Sequence, residues 1–109
     1  MPILRRTQEI VLRDKVCHDA LWQLGVRSLQ LNLHFDAGWP DRIFLIPGGR
    51  PLFMEFKRPG YVPRPLQYQR LETLVQLGYL ESVDHGWTDS YDLAMERIRL
   101  AITRAGGHP

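Results

Sequence analysis

The chain of 109 residues contains a single cysteine, Cys17, so an intramolecular disulfide is excluded and a cytoplasmic setting is expected. No apolar run is long enough to cross a bilayer, and the first residues lack the pattern of a secretory leader, so no membrane partner is expected. His18, His34, His85 and His108 are scattered, and with one cysteine they leave no zinc-ligand spacing. No glycine-rich loop opens a helix, which removes the usual support for nucleotide hydrolysis; no nucleotide cofactor is expected. Excess charge is scarce too. Fourteen Lys and Arg against twelve Asp and Glu give a net charge of +2, which permits a nucleic-acid partner without demonstrating one. Repeats and low-complexity tracts are missing as well.

What remains is ordinary globular material. A hydrophobic content of 44% with 24% charged residues argues against disorder, and the length suits one domain over residues 1–109. Helical periodicity runs over residues 5–24, with Leu12, Val16, Ala20, Leu21 and Leu24 on one stripe and Gly25 at the stop. Alternation of apolar and polar residues over 29–35 predicts a half-buried strand. An apolar hairpin follows, then a loop marked by Pro59, Gly60, Pro63 and Pro65. A second helix is predicted over 66–77, stopped by Gly78, and a further strand over 79–83. Ser90 or Thr88 should cap a last helix that turns Tyr91, Ala94, Met95, Ile98 and Ile102 inward. The class is α/β, in the order αβββαβα, with a mixed sheet flanked by helices. Cys17, Trp22 and Trp87 read as packing residues, and Asp14 and Asp19 as surface charges.

The chemistry concentrates in the hairpin. Pro40 and Asp41 precede an apolar run ending at Ile46; Pro47, Gly48, Gly49 and Arg50 make the turn; a second run leads to Glu55, Phe56 and Lys57. Side chains alternate along a strand, so Glu55 and Lys57 share one face while Met54 and Phe56 anchor the other. Two carboxylates can hold a hard divalent cation, and a nearby lysine can steer or polarise an attacking water. The arrangement carries a condition. A two-residue Gly48-Gly49 turn would set Asp41 opposite Phe56, on the wrong side. An odd loop, either Gly48-Gly49-Arg50 or Pro47-Gly48-Gly49, or else a bulge, returns Asp41 to the face of Glu55 and Lys57. Glu9 leans toward the core stripe of the first helix, although a first-turn acid is also favoured by the helix dipole. Gln67 opens the second helix in line with Leu71 and Leu74, facing the sheet. Arg42, Arg58, Tyr61, Arg64 and Arg70, with Arg50 and Tyr68 beside them, could meet a phosphate backbone or simply form a solvated face.

Asp41, Glu55 and Lys57 fit the PD-(D/E)-x-K nuclease pattern. With Gly38 ahead of the motif, Pro47-Gly48-Gly49-Arg50 inside it, Lys57-Arg58-Pro59-Gly60 after it, and Gln67 and Gly78 downstream, the chain resembles the virus-type replication-repair nuclease (VRR-NUC) domain. The likeness runs from about Glu9 to the final helix. Trp39 departs from the small or aliphatic residue expected at its position, but it would ligate nothing. The resemblance implies a restriction-endonuclease-like core. It implies Mg²⁺ or Mn²⁺ held by Asp41, Glu55 and the Phe56 carbonyl, with Glu9 directly or through water. It gives Lys57 and Gln67 supporting catalytic roles, and a 5′-phosphate product. It also implies a phage or bacterial source and branched DNA, a Holliday junction or a flap, as substrate.

Two functions of different class follow. One is a metal-dependent DNA endonuclease; the alternative is a DNA-binding or regulatory module that keeps the nuclease fold without cleavage. Two close carboxylates repel a phosphate backbone unless a cation intervenes, which favours the enzyme. A homodimer is expected, because cutting both strands of a symmetric junction takes two sites and a two-fold dimer places them symmetrically.

Overall fold

The structure is a computed structural model that describes residues 7–32 and 36–107. Its elements are α1 (Gln8–Leu24), β1 (Arg27–Gln30), β2 (Arg42–Leu45), β3 (Leu52–Phe56), α2 (Pro65–Gln76), a short 3-10 helix (Val83–Gly86), β4 (Trp87–Thr88) and α3 (Tyr91–Arg104). The four strands lie in sequence order across one sheet. The first three are antiparallel, and β4 runs parallel to β3. This is an α/β fold with a mixed sheet between helices, compatible with a restriction-endonuclease-like core.

Strand alternation decides what each face buries. Phe44, Met54 and Phe56 point to one side, where they join Val16 and Ala20 of α1 and Met95, Ile98 and Ile102 of α3. Apart from Ala20, each such side chain contributes roughly 1.5–3 kcal/mol by leaving water. Phe53 points the other way and packs with Leu71 and Leu74 of α2, beside Trp39 and Trp87. α3 begins where the sequence predicts, with the Ser90 hydroxyl accepting from the Leu93 N–H at 3.2 Å. α2 begins on Pro65, whose missing N–H costs nothing at a helix start.

Several expectations need correction. The strand expected over 29–35 is shorter and starts earlier, at Arg27. Leu33, His34 and Phe35 lie outside the described residues. Leu29 is 53% exposed, because β1 is the sheet edge and none of the described residues covers it. Residues 79–83 form no strand. The Tyr79 and Leu80 N–H groups instead donate back to the Leu74 carbonyl, wrapping the end of α2, and Leu80 is buried there. The fourth strand is Trp87–Thr88. On α1, Val16 and Ala20 are buried as expected, but Leu21 and Trp22 are exposed, Trp22 by 75%. Asp19 is more than a surface charge. It accepts from the Tyr91 hydroxyl at 2.5 Å and ties α1 to α3.

Candidate active site

The β2–β3 register settles the hairpin condition. Arg42 pairs with Met54, Ile43 with Phe53 and Phe44 with Leu52. Continued by one step, this places Asp41 opposite Glu55, on one face of the sheet. The turn is of odd length. Gly49 N–H donates to the Ile46 carbonyl at 3.0 Å, with Pro47 second and Gly48 third in the turn. Gly48 sits at φ +71°, a left-handed conformation suited to the third position of a type II turn. Of the two odd loops, the one with Pro47, Gly48 and Gly49 between Ile46 and Arg50 is formed. Gly38 has a different task. At φ +92° it lies so close to Leu66 that an added Cβ would come within 2.7 Å of the Leu66 Cγ. The segment leading to Asp41 is thereby seated directly against the start of α2.

Glu55, Lys57 and Asp41 open into a cleft of about 460 Å³ at the end of the sheet, where the first turns of α1 and α2 converge. Lys57 Nζ stands 4.0 Å from Glu55 Oε1. The Lys57 N–H donates to the Thr88 carbonyl at 2.9 Å, which carries the β3–β4 ladder through the site. Phe56 also lines the cleft. Its side chain is buried in the core on the opposite face, so its backbone is what it offers here. Gln67 is buried in the cleft wall, where its Oε1 accepts from the Arg64 N–H at 2.8 Å. That bond caps α2 and leaves the side-chain amide for the cleft.

The electrostatics are those of buried acids short of partners. Burial, and secondarily the charge of Asp41, push the Glu55 carboxyl up to about 7. Asp41 is also raised, by burial first, against the lowering effect of Arg13. Glu9 Oε2 and Asp41 Oδ1 are both buried without a hydrogen-bond partner. Among the described residues no three His, Cys, Asp or Glu side chains gather closely enough to hold a metal ion. Glu9 lines the cleft without closing a three-carboxylate cage with Asp41 and Glu55.

The basic residues divide. Arg58, Tyr61 and Arg64 line the cleft. Arg42 does not. Paired with Met54, it points to the α1 and α3 side of the sheet, where its Nε is buried without a partner. Arg70 does not either. It donates to the Ala37 carbonyl and to Asp36 Oδ1, at 3.0 and 2.8 Å, and lies over the Trp39 ring at 5.1 Å. That bracing of the loop before Asp41 occupies the guanidinium that a phosphate would need. Arg50 is likewise spent at the far end of the hairpin, donating to the Gly78 carbonyl at 2.7 Å. The sequence reading missed Arg13. One turn beyond Glu9 on α1, its Nη1 stands 3.5 Å from Asp41 Oδ2 and its Nε donates to Asp14 at 3.2 Å. The one available signal was its helical spacing of four from Glu9.

Comparison with known proteins gives partial support. No protein-family model matches the chain. A stretch of 57 residues, 52% of the chain, is 39% identical to a protein of Acyrthosiphon pisum secondary endosymbiont phage 1 named "Putative nuclease p44". The matched stretch spans 57% of that relative's length, so the chain is similar to a phage protein bearing a nuclease name over rather more than half of it.

Proposed function

We propose that the protein is a divalent-metal-dependent nuclease that hydrolyses phosphodiester bonds in DNA. The observation that carries this reading is the register-enforced pairing of Asp41 with Glu55 on one face of the hairpin, beside Lys57, in a cleft rimmed by Arg58 and Arg64. The similarity to a phage protein with a nuclease name supports it. The donor set fits a hard cation. It is made of oxygens, two of them buried and unpartnered, and burial pushes both hairpin carboxyls upward despite the nearby Arg13 and Lys57. Asp41, Glu55 and the Phe56 carbonyl would hold Mg²⁺ or Mn²⁺, with Glu9 reaching it through water. When bound, such an ion draws electron density from the scissile phosphate and acidifies a water.

The chain's own groups do the rest. Lys57, restrained beside Glu55, can orient the attacking water or offset charge that grows on the phosphate oxygens. The Gln67 amide, fixed by its bond to Arg64, can steady that same water or phosphate. Arg58 and Arg64 at the rim neutralise flanking phosphates and set the strand's path across the carboxylates. Within this reading, branched DNA as substrate and a homodimer with both sites facing it rest on the VRR-NUC resemblance and on the two cuts a symmetric junction requires.

Incubating purified protein with end-labelled linear, flapped and four-way DNA, with Mg²⁺, with Mn²⁺ and with EDTA, tests the proposal. Cleavage that needs the metal and disappears in Glu55→Ala is the expected result. A wild-type protein that binds these DNAs and cuts none would overturn it in favour of the non-catalytic module.

A further inference from the structure

Residues 58–64 leave β3 just after Lys57 and run into α2, forming one lip of the cleft. The loop is pinned along its length. Tyr61 N–H donates to the Arg58 carbonyl at 3.1 Å, and Gly60 N–H donates to Asp89 Oδ2 at 3.3 Å. Pro63 is buried, and the Arg64 N–H is held by Gln67. A loop so braced could have turned its aromatic ring inward, yet Tyr61 stays 52% exposed and Val62 59% exposed. The Tyr61 ring is not loose in solvent. The Arg58 guanidinium lies over it, 4.0 Å from the ring centroid. Both residues line the cleft that holds Asp41 and Glu55, with Lys57 and Arg64 to either side.

We infer that the Arg58–Tyr61 pair is a stacking platform for one unpaired nucleobase of the strand whose phosphate lies at Asp41 and Glu55. This rests on the nuclease reading and sharpens its substrate class to DNA with a single-stranded element beside the cut. The chemistry of the lip points there. A flat cation over a flat ring offers a surface on which any base can stack, whatever its identity. The surrounding cations match the backbone that such a base carries. Bases inside a continuous duplex already have both faces covered by neighbours, so only a flipped, frayed or single-stranded base can use the platform. Phosphate recognition alone would need the arginines and lysine but no exposed aromatic ring.

The test is a binding cycle measured by fluorescence anisotropy in Ca²⁺. It compares wild type, Tyr61→Phe and Tyr61→Ala on a flapped oligonucleotide, either intact or carrying one abasic position scanned across the branch. With intact DNA, Tyr61→Ala should weaken binding about ten- to hundredfold and Tyr61→Phe should bind like wild type. At one abasic position the penalty of Tyr61→Ala should vanish, because the base it would stack has been removed. Continuous duplex should bind the wild type and Tyr61→Ala alike. The proposal is overturned if Tyr61→Ala binds intact flap normally, or if no abasic position erases its penalty. It is equally overturned if Tyr61→Phe is as weak as Tyr61→Ala, which would make the hydroxyl the contact. Failure of wild type to cut any DNA would sink the nuclease reading, while the binding cycle would still report on the platform.

Discussion

Two clefts of the same size among the described residues, about 460 Å³ each, lie at different ends of the sheet, and they are built on opposite terms. The cleft at the hairpin tip, between Arg50, Gly78 and the end of α3, also collects charged residues, but they answer one another. Arg104 pairs with Glu81, Arg50 with the Gly78 carbonyl, and Arg97 with the Trp87 carbonyl. His85 meets the Ser82 hydroxyl at 2.7 Å. At the other end, buried oxygens of Glu9 and Asp41 have no partner, and Glu55 is held near neutral pH by burial. Volume does not distinguish the two. Unmet carboxylate oxygens do, because a buried acid left without a partner is the kind of group that an ion or ligand completes.

The largest test of this contrast removes the unmet groups. Asp41→Ala, Glu55→Ala and Lys57→Ala should each reduce DNA cleavage by at least about a thousandfold while circular dichroism stays unchanged, since all three side chains point off the core. Gln67→Ala should cost about tenfold, because its cap on α2 is lost along with its place at the cleft. Near-normal activity in Asp41→Ala or Glu55→Ala would make the two clefts equivalent.

The second test is thermal and needs no substrate. With its carboxyl pushed from an ordinary 4.5 up to about 7, Glu55 keeps a proton in the folded protein that the unfolded chain has already released. Stability of the metal-free protein should therefore fall as pH rises from about 4.5 to about 7, then level off with both states ionised. The upward shift of Asp41 adds in the same direction. Melting curves across that window should show the decline, Glu55→Gln should flatten it, and Mn²⁺ at neutral pH should recover the lost Tm. A Tm that climbs through the window, unaltered by Glu55→Gln, would contradict the burial of these acids.

Arg13→Met should have an intermediate effect. Without the guanidinium near its Oδ2, Asp41 loses orientation, and the metal titration should shift by about tenfold, as for other groups that steady a ligand from behind. Isothermal calorimetry with Mn²⁺ would read this directly. The smallest effect is expected in the satisfied cleft. Arg104→Ala breaks an exposed ion pair and should change stability by less than about 1 kcal/mol, with cleavage untouched. A large loss of activity there would show that the two ends are coupled.

The sequence made the Asp41–Glu55 hairpin readable because its constraint is arithmetic. Strand alternation and turn length together determine whether Asp41 can face Glu55, and one odd loop is what the structure contains. The α-helical cores were readable for the same reason, through Val16, Ala20, Ile98 and Ile102. Direction around an edge was not. Nothing in the pattern of Leu29 and Leu31 says that β1 is the outermost described strand, and nothing in Trp22 says that it is left exposed. β4 is two residues long, too short to alternate, whereas residues 79–83 carry a strand-like pattern but are spent on closing α2. Arginines were the hardest to place. Composition groups Arg42, Arg58, Arg64 and Arg70 together, but the register turns Arg42 to the other face and Asp36 claims Arg70.

The odd turn at Gly48 has a further consequence, in time. Asp41 and Glu55 are fourteen positions apart, so one hairpin closure, an event of about 1–10 μs, brings the pair face to face. A lone two-stranded hairpin is barely stable in water, and two juxtaposed carboxylates weaken it further. The pair is completed by groups on other elements: Glu9 and Arg13 on α1, Gln67 on α2, and the Thr88 carbonyl that receives the Lys57 N–H. One local closure joins the two acids, whereas Arg13 reaches Asp41, and Thr88 reaches Lys57, from separate elements of the chain. Completing the site thus depends on non-local contacts, which carry a larger loop-closure cost than the hairpin that joins the two acids.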